Sequence, residues 1–269
     1  MRPDTLFVIG LGPAGGSVAW GAVQGGVGRV VGYDRVRGDA VQALRAGAVH
    51  AVTDRLEDGM RDAEMVVVTA SGTDLLGRIA SRLRPRALVT TLAQVAAPAA
   101  AAAGAAGVAD RWAASHPLRI PVGDGFEGAT ADIFRGAVVN VTTTGPAGDD
   151  AAREVMHFWE SVYGAEAVRM TVEEHDRRLA WMEQLPALLA ALHADALQRG
   201  ELGAATVGGA AARLSGLVPA GSTAGDFTAN AAALTEALAG IGRSVDELRQ
   251  LLATGDAGRL ATFLARGRR

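Results

Sequence analysis

Five short apolar runs, most of them rich in valine, punctuate the chain from Leu6 to about Gly145: Leu6–Ile9, Arg29–Tyr33, Met65–Thr69, Ala87–Thr90 and Ala137–Thr142. Branched side chains of this kind pack well on a pleated surface that is buried on both faces. The stretches between them, Gly15–Gln24, Asp39–Ala46 and Asp74–Leu83, are helix-compatible and long enough to serve as right-handed crossovers. Ala97–Ala106 is low in complexity, but alanine favours helix, so it reads as a further packed helix. The alternation predicts an α/β domain built on a wound parallel sheet.

The pattern changes after the turn-like Gly145-Pro146-Ala147-Gly148, which divides the sequence into an expected dinucleotide-binding domain over 1–147 and an all-helical domain over 148–269. Thr171 and Glu174 have the Thr-x-x-Glu spacing of a helix start, opening a long helix to Arg199. Within it Leu179, Met182, Leu185, Leu188, Leu189 and Leu192 fall on one face, and Pro186 is expected to kink the rod. Leu234, Leu238, Ile241, Val245, Leu248 and Leu252 repeat helically up to Gly255, and a short helix follows over Leu260–Arg266. Two long apolar stripes in so small a helical domain predict packing against a second subunit, hence a homodimer.

Composition narrows the chemistry. All 26 Lys+Arg residues are arginine and there is no cysteine. That excludes a Schiff-base lysine, a P-loop lysine, thiol catalysis, disulfides and cysteine-ligated metals. Arginine holds its proton too firmly for ordinary acid–base work, so proton transfer falls to the 5 histidines, 29 carboxylates or 2 tyrosines. A net charge of −3 argues against a nucleic-acid binder. Only Arg266, Arg268 and Arg269 are locally basic, and they read as a solvated tail. The uncharged stretch Ala87–Ala109 is too weakly apolar to span a membrane, and the start of the chain lacks a signal-peptide pattern. A cytoplasmic protein without membrane partners is expected.

Gly10-Leu11-Gly12-Pro13-Ala14-Gly15 follows the first strand and precedes a helix, the context that gives G-x-G-x-x-G its meaning. The first glycine permits a tight turn, the second lets a pyrophosphate approach the backbone, and the third lets helix and strand pack closely. Asp34 ends the second strand where a carboxylate can accept the ribose hydroxyls, which favours NAD. Arg35 and Arg37 lie beside it and could pair with a 2′-phosphate, which leaves NADP open. Thr69 and Ala70, at the end of the third run, complete the expected cofactor-binding set. Ser115-His116-Pro117 falls in a loop region near the same edge, where a histidine can sit beside a nicotinamide. Glu173-Glu174-His175-Asp176 reads as a solvated first helical turn with one buried or interface histidine rather than a metal site, because adjacent helical residues point apart. No metal is expected, and His50, His157 and His193 read as structural.

Together these residues resemble the prephenate and arogenate dehydrogenases along nearly the whole chain. The resemblance rests on Val8-Ile9-Gly10-Leu11-Gly12, Gly15-Gly16-Ser17, Gly32-Tyr33-Asp34-Arg35, His116-Pro117, Gly125 and Ile133-Phe134-Arg135-Gly136, and then on Glu173–Arg177, Leu185-Pro186, Asp226 and Asn230. It implies NAD(P)-dependent oxidative decarboxylation of prephenate, arogenate or 4-amino-4-deoxyprephenate, as in tyrosine biosynthesis. His116 would be the catalytic histidine and Arg213 the partner of the substrate side-chain carboxylate. The pocket departs from the family pattern. Gln94 stands where a serine is usual and Ala96 where a lysine is, Arg119 follows the His-Pro pair, and Gln184 precedes Leu185-Pro186. Gln94, Arg119 and Gln184 are therefore candidate substrate contacts. A dehydrogenase or reductase of the β-hydroxyacid or imine class, and a nicotinamide-binding regulator without turnover, are the alternatives.

Overall fold

The computed structural model describes residues 2–69, 74–121, 123–200, 214 and 224–266. They form two compact units, 1–175 and 176–269.

In the first unit, eight strands run in the order β3-β2-β1-β4-β5-β6-β7-β8. They are β1 (Thr5–Ile9), β2 (Arg29–Tyr33), β3 (Ala51–Val52), β4 (Met65–Val68), β5 (Leu88–Leu92), β6 (Trp112–Pro117), β7 (Val138–Thr143) and β8 (Glu166–Thr171). From β3 to β6 all pairing is parallel, with Ile9 opposite both Tyr33 and Val68, and Leu92 opposite Ser115. β7 then returns antiparallel to β6, and β8 runs parallel to β7.

Alternation along each strand feeds two helical layers. Leu6 and Val8 join one core with Val18 and Ala22 of α1 (Pro13–Gln24), Ala40 and Ala43 of α2 (Arg37–Arg45), and Val155, Phe158 and Trp159 of α6 (Asp149–Tyr163). Phe7 and Ile9 join the other core with Met60 of α3 (Leu56–Met60), Ile79 of α4 (Asp74–Ala80), and Ala99 and Ala103 of α5 (Ala96–Ala105). The alanine-rich stretch is thus a packed helix, as its composition predicts.

Two strands lie where the sequence does not signal them. Trp112–Pro117 is a strand with every residue buried, so His116 sits within the sheet and not in a loop. β8 together with α6 places 149–171 in the first unit, beyond the expected division at 147/148. A polar chain crosses the centre of the sheet. The Trp159 Nε1–H donates to Ser115 Oγ at 2.8 Å, and Ser115 Oγ lies 2.7 Å from Thr90 Oγ1. Around Trp159, the rings of Phe134, Phe158 and Tyr163 form a cluster with centroids 4.8 to 5.8 Å apart. The Tyr163 hydroxyl donates to Val18 O at 2.8 Å, and its burial holds the phenol pKa well above the ordinary value.

The division between units falls inside α7 (Val172–Leu179). In the second unit α7 passes into a π-helical turn, Ala180–Gln184, and then α8 (Leu185–Arg199). The wide turn answers to Pro186, which lacks the N–H that an uninterrupted helix would use there. Next come α9 (Ala224–Ala229), α10 (Ala231–Thr254) and α11 (Ala257–Arg266). Arg266 ends α11 with a solvent-exposed side chain that pairs with Glu247 at 3.1 Å; Arg268 and Arg269 lie outside the described residues.

The two predicted stripes are only half buried within the unit. Leu179, Leu185 and Leu234 are buried, whereas Met182 is 73% and Leu252 60% exposed. Leu238, Val245 and Leu252 recur every seven residues along α10 and all three are exposed. Among the described residues no helix is long and apolar enough to cross a membrane.

Candidate active site

β1 is bordered by β2 on one side and β4 on the other, so the crossovers diverge at its carboxyl end and open a crevice there. The glycine loop fills the mouth of that crevice. Gly10 adopts φ +96°, which only glycine enters without strain, and its N–H donates to Tyr33 O at 2.8 Å. A Cβ on Gly15 would lie 1.9 Å from Gly10 O, so only hydrogen fits between helix and loop. A Cβ on Gly12 would meet no protein atom within 4 Å. The open space therefore lies where a ligand's phosphates would approach. Gly12 provides no side-chain cap for α1, which leaves first-turn amides to attract an anion.

Three further predicted cofactor residues gather at this loop. Asp34 Oδ2 accepts the Leu11 N–H at 2.6 Å and Oδ1 accepts the Val36 N–H at 2.7 Å. The Asp34 carboxylate thus braces the loop, and each oxygen keeps a lone pair for a ribose hydroxyl. The Thr69 hydroxyl donates to the carbonyls of Ile9 and Gly10, at 3.2 and 3.0 Å, tying the end of β4 to the loop. Arg35 is exposed beside Asp34, as is Arg37. Pro13 and Ala14 open α1, and Ala70 lies outside the described residues. These residues fit a dinucleotide.

His116 stands one position from the end of β6, at the same sheet edge, and is 9% exposed. Its Nδ1 lies 2.9 Å from Nε2 of His175, which is 2% exposed. The rings meet edge to face, 71° apart in plane. Local sequence explains how His175 arrives there. Thr171 ends β8 and its Oγ1 accepts the Glu174 N–H at 3.1 Å, which sets the first turn of α7 and aims the following residue. Of the two readings of this turn, a buried or an interface histidine, His175 is buried within the chain. Its pairing with His116, across 59 positions of sequence, carries no sequence signal.

Of the predicted substrate contacts, Gln94 and Arg119 belong to the first unit and Gln184 to the second. Gln94 is half-buried in the turn between β5 and α5. Arg119 is exposed and its Nη1 donates to Arg135 O at 3.2 Å, one of the five N–H donors of its guanidinium. Gln184 is buried in the second unit's own amide network. Its Oε1 accepts from Asn230 Nδ2 at 2.7 Å, its Nε2 donates to Asp226 O at 3.2 Å, and Asn230 Nδ2 also donates to Asp176 O at 2.8 Å. Arg213 lies outside the described residues. His50 is structural, its Nδ1 accepting the Val30 N–H at 2.9 Å. Among the described residues no cluster of histidines and carboxylates could hold a metal ion.

Residues 23–168, more than half of the chain, match the family described as prephenate dehydrogenase, nucleotide-binding domain. The match begins beyond the glycine loop, so the reading of that loop rests on its own geometry. Comparison with curated proteins gives no match. Among solved structures, prephenate dehydrogenase from A. aeolicus, in complex with hydroxyphenyl propionate and NAD+, superposes with a TM-score of 0.88 at 21% identity, over 98% of this chain and 96% of that one. Synechocystis arogenate dehydrogenase gives 0.83 at 21% identity, over 98% and 97%. A 3-hydroxyisobutyrate dehydrogenase from Mycobacterium tuberculosis gives only 0.52 at 17% identity, over 76% and 68%. At these identities the likeness is one of fold. The loop, the histidine at the carboxyl edge and the family match converge: the chain belongs to the prephenate dehydrogenase family of NAD(P)-dependent oxidoreductases.

Proposed function

We propose that this chain catalyses the NAD-dependent oxidative decarboxylation of prephenate or a close cyclohexadienyl analogue, in the formation of tyrosine. The observation that carries the reading is the placement of His116, a buried imidazole on the sheet edge that also bears the glycine loop. When bound, the nicotinamide supplies the acceptor for the hydride that leaves the ring carbon bearing the hydroxyl. His116 Nε2 takes the hydroxyl proton as that carbon becomes a carbonyl. Loss of the ring carboxylate as carbon dioxide sends its electron pair into the ring, and the imidazolium returns the proton to the phenolic oxygen. Asp34 supports NAD over NADP, because a carboxylate that accepts ribose hydroxyls repels a 2′-phosphate.

The test follows the absorbance of reduced cofactor with prephenate, arogenate and 4-amino-4-deoxyprephenate, offering NAD and NADP in turn. Turnover of at least one substrate is expected, with NAD preferred by roughly tenfold or more, as each 1.4 kcal/mol of lost or repulsive contact gives. Tight cofactor binding without turnover of any of the three would defeat the reading.

We further propose a homodimer formed through the second unit, supported by the exposed seven-residue repeat Leu238, Val245 and Leu252. Light scattering is expected to give twice the mass of the 27.5 kDa chain. Val245→Glu, which puts a charge in the middle of the stripe, should shift the population to single chains. A monomeric parent, or a dimer indifferent to this substitution, would reject the stripe as the interface.

A further inference from the structure

The mechanism requires a lone pair on Nε2 of His116. We propose that His175 is the positioning residue that fixes this tautomer, an inference that rests on the dehydrogenase reading above.

Two imidazole nitrogens 2.9 Å apart form a hydrogen bond only if one carries a proton and the other a lone pair. There are two ways to arrange this. If His175 Nε2 donates, His116 Nδ1 is the acceptor and the His116 proton resides on Nε2, where it blocks the base. If His116 Nδ1 donates, its Nε2 bears the lone pair that the substrate hydroxyl needs. Only the second arrangement is rewarded during the reaction. Once His116 has accepted the substrate proton, its Nδ1–H···Nε2 bond to His175 becomes charge-assisted and therefore stronger.

A histidine in water prefers its proton on Nε2, so the productive tautomer must be imposed. His175 is suited to impose it. The ring is almost wholly buried and meets His116 edge to face, and its helix is anchored by the Thr171–Glu174 bond one residue earlier. In a buried site an unmade hydrogen bond is expensive, so the two rings are held to complementary tautomers, and of these only the one with the proton on His116 Nδ1 leaves a lone pair on its Nε2 for the substrate proton. His175 need not touch the substrate, since it acts through His116.

Nitrogen-15 NMR of histidine-labelled protein, without substrate or cofactor, reads the tautomer directly once His116→Asn has assigned the His116 signals. The expected result is a proton on His116 Nδ1 in the parent. In His175→Leu, which offers no acceptor, the proton should move to Nε2 and kcat should fall by about 10- to 100-fold, the scale on which residues that orient an active-site ligand act. The KM for NAD should stay unchanged. His175→Gln restores an acceptor through its amide oxygen and should recover both the tautomer and most of the rate, which separates positioning from a packing defect. In a His116→Asn background His175→Leu should cost nothing more.

A proton on Nε2 in the parent would overturn the proposal, as would a His175→Leu variant that keeps its tautomer and rate, or an undiminished further loss in the His116→Asn background. The NMR result is independent of turnover. The predicted tautomer in a protein that oxidises none of the three substrates would sink the dehydrogenase reading and leave the pair intact, whereas the opposite tautomer in an active enzyme would sink the pair alone.

Discussion

Replacing His116 with asparagine is expected to lower kcat for the cyclohexadienyl substrate by about 10²- to 10⁴-fold, the range of a lost acid–base group. Asparagine is the informative choice. Its amide reaches roughly where Nδ1 lies, so the contact with His175 can survive while the basic Nε2 is removed. Affinity for NAD, measured by direct titration, should stay within a few-fold of the parent, because the glycine loop and Asp34 are built from other elements. An unchanged kcat would remove His116 from the chemistry. A matching loss of NAD affinity would instead mean that the substitution had disturbed the sheet edge, since His116 occupies a wholly buried strand.

The second large effect separates two glycines of one loop. Gly15→Ala would bring a Cβ to 1.9 Å from Gly10 O and 2.5 Å from Thr69 Oγ1. Rotating a side chain cannot relieve the first of these clashes, because the obstacle is backbone. The loop must therefore move by something like an ångström, a displacement that costs about 10²-fold in kcat/KM when it misaligns reacting groups. Overpacking should also lower stability by about 1–3 kcal/mol, visible as an earlier denaturant midpoint. Gly12→Ala makes the opposite pattern. Its backbone, at φ −63°, accepts alanine and the new methyl meets no protein atom, so the denaturant midpoint should not move. Nucleotide affinity should nevertheless fall, since the methyl enters the space left for the phosphates. If Gly12→Ala binds NAD as tightly as the parent, the dinucleotide does not lie along this loop.

Residues that act locally were legible in the sequence, and those that act across the fold were not. Gly10, Gly12, Gly15 and Asp34 could be read because a strand, a turn and a helix follow one another at fixed spacing, and the valine runs reveal the strands around them. β6 escaped for a physical reason. Trp112-Ala-Ala-Ser-His-Pro is buried on both faces but is built from small and polar residues, so neither a valine run nor an alternation marks it. β8 carries Glu166 and Arg169, charges that an outermost strand tolerates and a central one does not. The helical stripes were correctly assigned to helices, yet Leu238, Val245 and Leu252 lie outside the face that the unit itself buries. A repeat identifies an apolar face without saying which chain covers it. Gln184 shows the same limit: its amide bonds to Asn230 and Asp226, 46 and 42 positions away, partners that no local pattern signals.

The strand that carries His116 also comes with its own optical reporters. Trp112 begins β6 and packs with the α5 side of the sheet, while Trp159 packs on the opposite side and donates to Ser115 of the same strand; both are fully buried. Of the other two tryptophans, Trp20 is partly buried on α1 and Trp181 is 42% exposed in the second unit. Blue-shifted intrinsic fluorescence therefore originates chiefly from the two indoles that bracket the strand bearing His116, and a red shift during unfolding follows the opening of that strand to water. No dye or inserted probe is needed to tell loss of the site from loosening of the helical half.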